Sequence, residues 1–245
     1  MKEVFMEDIL DINTLFGPYP LANADLGIDT LLFAMRTNKV QTACTYSTLG
    51  LFLDPLIGNA ATRAACSDHS ELIPVGVLNP TLYLGNKEYL SGLKSEGFRL
   101  IRLFPTAHQY SADFAPFRTL VNDLSGLALP LMLQVVERGE ISTFANALAN
   151  YTAPIVLTNV GTKHIAELVA VLKSRSNLYV ETSQLNGIGA IKAVVDAIGA
   201  ERVLLGTGIP YQPTTTAVKM LEFSGITPEA RKQVLGANAR RILAQ

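Results

Sequence analysis

Residues 155–181 read IVLTNVGTKHIAELVAVLKSRSNLYVE and contain a strand, a helix and a second strand in succession. The runs at 155–158 and 178–181 are short and rich in apolar and β-branched side chains, which is typical of strands buried on both faces of a parallel sheet. Between them, apolar residues recur at the spacing of an amphipathic helix: Ile165, Leu168, Val169 and Leu172. The stretch predicts a strand–helix–strand unit, with Thr162 as the helix N-cap.

The same unit recurs along the chain. Predicted strands lie at 9–12, 40–46, 72–78, 99–104, 131–136, 155–158, 178–181 and 203–206. Eight strand–helix units in 245 residues match the size of a (β/α)8 TIM barrel. A doubly wound open sheet is the alternative that strand counting leaves open. Because no Pro/Gly/Ser-rich linker divides the series, we expect residues 1–245 to form a single domain.

Extra helices are predicted after the eighth strand. Thr227, Pro228 and Glu229 have the pattern of a helix start, with an N-cap residue, proline at the first helical position and an acid in the first turn. Two short C-terminal helices, broken near Gly236, are expected to close the bottom or the side of the barrel.

Composition limits the classes of function. Hydrophobic residues make up 49% of the chain and charged residues 17%, with 20 basic against 21 acidic side chains. This excludes a disordered chain and argues against a nucleic-acid partner, because no basic excess is present to neutralise phosphates. No run reaches the ~18 apolar residues of a membrane span, and residues 1–8 do not resemble a signal peptide. We expect a cytoplasmic protein with no membrane partner, whose near-zero net charge leaves room for a homo-oligomer interface.

Polar residues follow the predicted strands. In a barrel, the active site lies at the carboxyl ends of the strands and in the loops that follow them. These positions hold Asn13, Thr14, Tyr46, Ser47, Asn79, Arg102, His108, Gln134, Glu137, Asn159, Glu181, Thr182, Ser183, Thr207 and Tyr211. The predicted mouth is polar but poor in carboxylates and imidazoles.

Three charged or titratable residues are candidates for chemistry. Arg102, if it points inward, is an anchor for a carboxylate or phosphate; a structural ion pair or an outward orientation is the alternative. Glu181 acts as a general base if burial raises its pKa, and a hydrogen-bonded loop carboxylate is the alternative. His108 lies in the loop after the fourth strand, where it either reaches the mouth or is solvated.

Other reactive side chains receive structural interpretations. Cys44 is expected to pack as a small hydrophobic residue, because no base is apparent beside it. His69 and His164 are expected on the surface, since neither lies at a strand end.

Several motifs resemble one family from end to end. Residues 11–17 (DINTLFG) resemble the Asp-x-His-x-His-x-Gly first strand of the amidohydrolase-related (amidohydrolase 2) metal-dependent hydrolases. Residues 206–210 (GTGIP) resemble their eighth-strand Gly-Ser-Asp-aromatic-Pro, and residues 237–243 (ANARRIL) their closing helix. Residues 97–105, 130–134 and 155–161 resemble the fourth, fifth and sixth strands. The resemblance implies a TIM barrel of hydrolase type with a metal site at its mouth.

The family's metal ligands are replaced. By the resemblance, its two first-strand histidines fall on Asn13 and Leu15, its fifth- and sixth-strand histidines on Gln134 and Asn159, and its eighth-strand aspartate on Gly208. Neutral amides are poor ligands for zinc, and leucine and glycine offer no side-chain donor. We therefore expect no metal and no other cofactor.

Two hypotheses follow from these residues. The first is a metal-independent enzyme that acts on a small carboxylated or phenolic compound, with Glu181 or His108 as the catalytic group. The second is an inactive relative that binds a ligand or serves as a partner subunit. In both, the predicted pocket residues are Asn13, Arg102, Gln134, Asn159, Thr207 and Tyr211.

Overall fold

The structure, a computed structural model, describes residues 8–20 and 24–244 and is organised around one nine-stranded sheet. The strands are β1 (Ile9–Tyr19), β2 (Ala24–Leu26), β3 (Val40–Ser47), β4 (Leu72–Val77), β5 (Leu100–Leu103), β6 (Leu131–Gln134), β7 (Ile155–Thr158), β8 (Leu178–Glu181) and β9 (Val203–Leu204). Strand β2 pairs antiparallel with β1, and all other neighbours pair in parallel.

The eight parallel strands form a nearly closed barrel because the chain beyond β9 returns to β1. The Ile12 amide donates to the Leu205 carbonyl at 2.9 Å, and the Leu15 amide donates to the Ile209 carbonyl at 3.0 Å. These bonds confirm the predicted (β/α)8 TIM barrel and exclude the doubly wound open sheet, whose outer strands would not meet.

Helices fill the connections and cover the outside of the sheet. They are α1 (Ile28–Thr37), α2 (Leu49–Phe52), α3 (Pro55–Asp68), α4 (Lys87–Ser95), α5 (Ala115–Ser125), α6 (Glu140–Ala147), α7 (Ile165–Ser174), α8 (Ala190–Ile198), α9 (Thr214–Glu222), α10 (Pro228–Lys232) and α11 (Asn238–Leu243). The predicted apolar stripe of α5 is buried against the sheet: Phe117, Leu120, Val121 and Leu124.

Side chains alternate between two apolar clusters along each strand. In β5, Ile101 and Leu103 belong to the cluster between sheet and helices, whereas Leu100 and the following Phe104 belong to the cluster inside the barrel. Arg102 lies between Leu100 and Phe104 in this alternation and therefore faces the interior. The orientation that the sequence left open is resolved inward.

The C-terminal helices close the lower end of the barrel. Helix α10 begins after its N-cap Thr227, as predicted, and a π-helical segment, Gln233–Ala237, joins it to α11. Gly236 is required because a Cβ there would lie 2.4 Å from the Asp8 carbonyl oxygen. Ala239 and Ile242 of α11 join the interior cluster. The predicted break at Gly236 is thus a widened helical turn packed against the start of β1.

Three local predictions were wrong. Helix α7 is preceded by a 3-10 turn, Thr162–His164, whose N-cap is Gly161 and not Thr162. His164 is buried, because its Nδ1 accepts from the Gly161 amide at 3.1 Å and its Nε2 lies 3.1 Å from the Val136 carbonyl. The predicted last strand, 203–206, is shortened to β9, and the β1–β2 hairpin was not predicted.

Cys44 is fully buried in the interior cluster, as expected.

Candidate active site

A cavity of about 230 Å³ opens at the carboxyl ends of the strands. Its wall combines side-chain amides, aromatic rings and one arginine. The lining residues are Asn13, Leu15, Tyr19, Tyr46, Leu51, Phe52, Arg102, Phe104, Ala107, Gln134, Asn159, Ser183, Gln184, Gly208, Tyr211 and Gln212. Of the predicted pocket residues, the structure brings together Asn13, Arg102, Gln134, Asn159 and Tyr211.

Arg102 carries the positive charge of this wall. Arg102 is 3% exposed. Its central guanidinium carbon lies 4.9 Å from the Phe104 ring centroid and 6.0 Å from the Tyr46 ring centroid. Within the described part of the chain, its Nε and Nη1 have no hydrogen-bond partner. Burial lowers the pKa of Arg102, but an arginine stays protonated in proteins. The cavity therefore holds a desolvated cation with unused donors.

Neutral amide side chains line the cavity, among them Asn13, Gln134 and Asn159. Asn13 is 6% exposed, and Gln134 has a buried Oε1 with no partner among the described residues. Asn159 has φ = 62°, a left-handed conformation that asparagine tolerates better than most residues. Each amide offers both donor and acceptor atoms, so the wall can bind hydroxyl or carbonyl groups of a ligand.

Aromatic side chains form the outer rim. The Tyr19 and Tyr211 rings stack with centroids 4.7 Å apart, and the Phe52 ring meets Tyr19 edge-on at 5.3 Å. Tyr19 belongs to the part of β1 that extends beyond the barrel into the β1–β2 hairpin. This extension brings an aromatic ring to the mouth that sequence reasoning did not assign to the site.

Glu181 lies behind the cavity wall and not in it. It is fully buried, and its carboxylate accepts from the Ser183 amide at 2.7 Å, the Ser183 hydroxyl at 2.8 Å and the Asn159 amide at 3.4 Å. Burial raises its pKa, while these hydrogen bonds and the charge of Arg102 oppose the rise. Ser183, which does line the cavity, connects this carboxylate to it.

His108 and Thr207 also lie outside the cavity wall. The His108 ring packs edge-on against Phe104 at 5.9 Å, and its Nε2 lies 3.2 Å from the Leu51 carbonyl; burial lowers its pKa. Thr207 is 1% exposed and donates its hydroxyl to Asp11, so its side chain is directed away from the ligand space. It borders a smaller recess of about 80 Å³ instead.

Asp11 is a buried carboxylate that was not predicted to matter. Besides the Thr207 hydroxyl, it accepts from the Thr207 amide at 3.1 Å and the Asn13 amide at 3.0 Å. Burial raises its pKa to about 7. The available signal was an acid inside an otherwise apolar strand, Ile9 to Ile12, because such a position requires buried hydrogen-bond partners.

The positions on which the family's metal ligands fall do converge. Asn13, Leu15, Gln134, Asn159 and Gly208 all line the cavity, which supports the strand-by-strand correspondence. Residues 8–20 and 24–244 contain no group of three or more His, Cys, Asp or Glu side chains placed to hold a metal ion. The donor set at the mouth does not fit a resident transition metal, since its oxygens are neutral and two positions have no donor.

Comparisons with known proteins agree with this architecture. Residues 62–244 match the family Amidohydro_2 (amidohydrolase). The fold is similar to that of 5-carboxyvanillate decarboxylase from Sphingomonas paucimobilis, with 14% identity, 97% of this chain and 99% of that chain covered, and a TM-score of 0.77. No curated protein matches the sequence.

Two further structures have the same fold. A protein from Pseudomonas putida assigned as a 2-pyrone-4,6-dicarboxylic acid hydrolase is 20% identical, with 97% of this chain and 98% of that chain covered and a TM-score of 0.75. The 2,6-dihydroxybenzoate decarboxylase from Rhizobium is 16% identical, with 98% and 99% covered and a TM-score of 0.72. At these identities the likeness shows the fold alone.

Proposed function

The chain belongs to the Amidohydro_2 family of amidohydrolases, and from this premise we propose that its barrel mouth receives a small carboxylated or phenolic compound without a metal ion. The neighbours named above act, by their names, on carboxylated rings. The proposal gives this chain the same broad ligand class with a different means of holding it.

The observation that carries the proposal is the buried guanidinium of Arg102, whose Nε and Nη1 have no hydrogen-bond partner among the described residues. Leaving buried donors without partners costs free energy, and a charged group has most to gain from a counter-ion. A carboxylate meets the planar fork of a guanidinium with two parallel hydrogen bonds. The Tyr46 and Phe104 rings beside it offer flat apolar surface to the ring of an aromatic acid.

Metal independence is supported by the chemistry of the remaining wall. A metal-activated water requires a metal charge that histidine, cysteine or carboxylate ligands hold in place. Here the same positions offer the amides of Asn13, Gln134 and Asn159, which suit hydroxyl or carbonyl groups of an organic ligand. In this proposal the protein binds by hydrogen bonds where its family binds through a metal.

Conversion of the ligand depends on Glu181 or His108, the predicted catalytic groups. Glu181 is one hydrogen bond away from the cavity through Ser183, whereas His108 is separated from it by Phe104. A second candidate function, a ligand-binding or partner subunit without catalysis, is favoured by the wall itself, because no carboxylate or imidazole among the described residues lines it.

Binding is tested by calorimetry with a panel of hydroxybenzoic acids. We expect Arg102→Met to weaken binding by roughly 10-fold or more, since hydrogen bonds to charged groups contribute about 1.5–3 kcal/mol. Arg99→Met is the matched control, because Arg99 precedes the same strand and is exposed. Equal affinities of wild type and Arg102→Met would overturn the proposal, as would stoichiometric zinc that survives dialysis.

Turnover is tested separately on lactones and phenolic acids. Hydrolysis that Glu181→Gln abolishes supports the enzyme, and hydrolysis that this change leaves intact removes Glu181 as the base. If the panel binds but no compound is converted, the binding subunit is supported.

Three expectations accompany the proposal. They are a single domain over residues 1–245, a cytoplasmic location and room for a homo-oligomer interface. Limited proteolysis, cell fractionation and sedimentation test them in turn. In the described ranges no helix is both long and apolar enough to span a membrane.

A further inference from the structure

Ser183 occupies a junction between two recesses. It lines the mouth cavity of about 230 Å³, and it also lines the smaller recess of about 80 Å³ that Thr207 borders. The residue is 9% exposed, so its hydroxyl lies within the wall and not in bulk water. A group bound in either recess can approach this hydroxyl.

The hydroxyl of Ser183 donates a hydrogen bond to the Glu181 carboxylate, both of whose oxygens accept from this serine. Its Oγ donates to Glu181 Oε1 at 2.8 Å, and the Ser183 amide donates to Glu181 Oε2 at 2.7 Å. On the other side, Gly206 lies so close that a Cβ there would be 2.1 Å from Glu181 Oε2. The carboxylate is therefore fixed behind the serine, and the serine hydroxyl is what connects it to the cavity.

We propose that Ser183 is a nucleophile and Glu181 its general base, for an ester or lactone whose separate carboxylate is bound by Arg102. The inference rests on the proposed function and deepens it, because it names both the bond that is attacked and the attacking atom. A serine hydroxyl is a weak nucleophile until an adjacent general base accepts its proton, and here the buried Glu181 carboxylate already accepts a hydrogen bond from it.

The reaction needs no reagent other than water. Ser183 Oγ bonds to the acyl carbon while its proton passes to Glu181 Oε1. The carbon–oxygen bond of the ester then breaks, and the leaving oxygen takes the proton from Glu181. Water repeats the sequence on the acyl-serine, which releases the acid and restores the hydroxyl and the carboxylate.

The surrounding wall suits such a reaction. Amide side chains of Asn159 and Gln184 line the same cavity and provide N–H donors for the oxygen that becomes negative during attack. The ligand's ring and carboxylate fit the larger recess near Arg102. The smaller recess, on the other side of Ser183, has room for the water of the second step.

A fluorophosphonate probe tests the proposal directly, because a serine nucleophile displaces fluoride and keeps a stable phosphonyl group. Intact-mass spectrometry counts the adduct and peptide mapping locates it. We expect one adduct on Ser183 in the wild type, none in Ser183→Ala, and labelling slower by roughly 100-fold in Glu181→Gln. Ser125→Ala, an exposed serine at the end of α5, is the control and should label like the wild type.

A second variant keeps the test decisive if Ser183→Ala or Glu181→Gln fails to fold. Ser183→Cys preserves the size of the side chain, and its thiol should be alkylated by iodoacetamide faster than the buried Cys44. Labelling at another residue, or an unreactive cysteine at position 183 in a folded protein, overturns the nucleophile. If Arg102-dependent binding of hydroxybenzoates persists in that case, the proposed function stands; if that binding is absent, the proposed function falls independently.

Discussion

The two ends of the barrel use arginine in opposite ways. At the lower end, Arg202 donates from Nε to the Leu178 carbonyl at 2.6 Å and from Nη2 to the Arg175 carbonyl at 2.5 Å. At the mouth, Arg102 is more deeply buried yet has donors with no partner. The arginine at the lower end uses its donors within the fold, whereas the arginine at the mouth has donors available for the ligand that we propose.

Removing the lower arginine should have the largest effect on stability. Arg202→Met leaves the carbonyls of Leu172, Arg175 and Leu178 without their charged donor, at a cost of about 4 kcal/mol in the free energy of unfolding. Urea denaturation measures this, and ligand affinity at the mouth should stay at the wild-type value. A variant as stable as the wild type would remove the contrast between the two ends.

Asp11, the buried acid of β1, should make the free energy of unfolding depend on pH. Because burial raises the pKa of Asp11 from 3.8 to about 7, the folded protein binds its proton more tightly than the unfolded chain. The stabilisation is therefore present below about pH 4 and is lost as pH rises to about 7, by about 4 kcal/mol.

Asp11→Asn isolates this contribution, since an amide can accept from the Thr207 and Asn13 amides as the protonated acid does. We expect urea midpoints measured from about pH 4 to about pH 7 to fall less steeply in the variant. Asp29→Asn, at an exposed acid in the first turn of α1, is the control. Parallel curves for wild type and Asp11→Asn would contradict the assignment.

Crowding beside Glu181 gives a smaller effect. Gly206→Ala places a methyl group where Glu181 Oε2 lies, so we expect a loss of about 2 kcal/mol. Gly92→Ala is the matched control, because Gly92 is helical and has open space around its Cα. An unchanged thermal midpoint in Gly206→Ala would mean that Glu181 is not held against the strand.

The smallest effect on stability should come from the arginine at the mouth. Two buried donors of Arg102 have no hydrogen-bond partner within residues 8–20 and 24–244, so its replacement by an apolar residue of similar length breaks few hydrogen bonds. We therefore expect Arg102→Met to unfold within about 1 kcal/mol of the wild type. Calorimetric unfolding measures it. A strongly destabilised Arg102→Met would indicate that Arg102 has a structural role, as Arg202 has at the lower end of the barrel.

Periodicity was enough to predict the eight strand–helix units, because each unit is local in the sequence, but it left open whether they close into a barrel or form an open sheet. Facing was not predictable for Arg102, since apolar residues occupy both sides of β5 and the pattern lacks the polar alternation that reveals orientation. The burial of His164 depends on a carbonyl of Val136, and the role of Asp11 depends on Thr207, 196 residues away. The first contact joins neighbouring units of the sheet, and the second arises only when the barrel closes.

The position of Ser183 relative to the cavity was likewise not predictable from the sequence. Both Ser183 and Glu181 were recognised at a strand end, but only the fold shows that one lines the cavity and the other lies behind it. Likewise, the five metal-ligand positions were located from the family resemblance, while their convergence on one cavity required the structure.

The join between the beginning and the end of the chain has a consequence for synthesis on the ribosome. Strand β2 pairs only with Gly17–Tyr19 of β1, so the barrel part of β1 gains its partner on the edge away from β3 only from residues 205–209, and its start packs against Gly236. A nascent chain therefore carries β1 with an open edge until residues 205–209 have left the exit tunnel, and open edges favour pairing between chains.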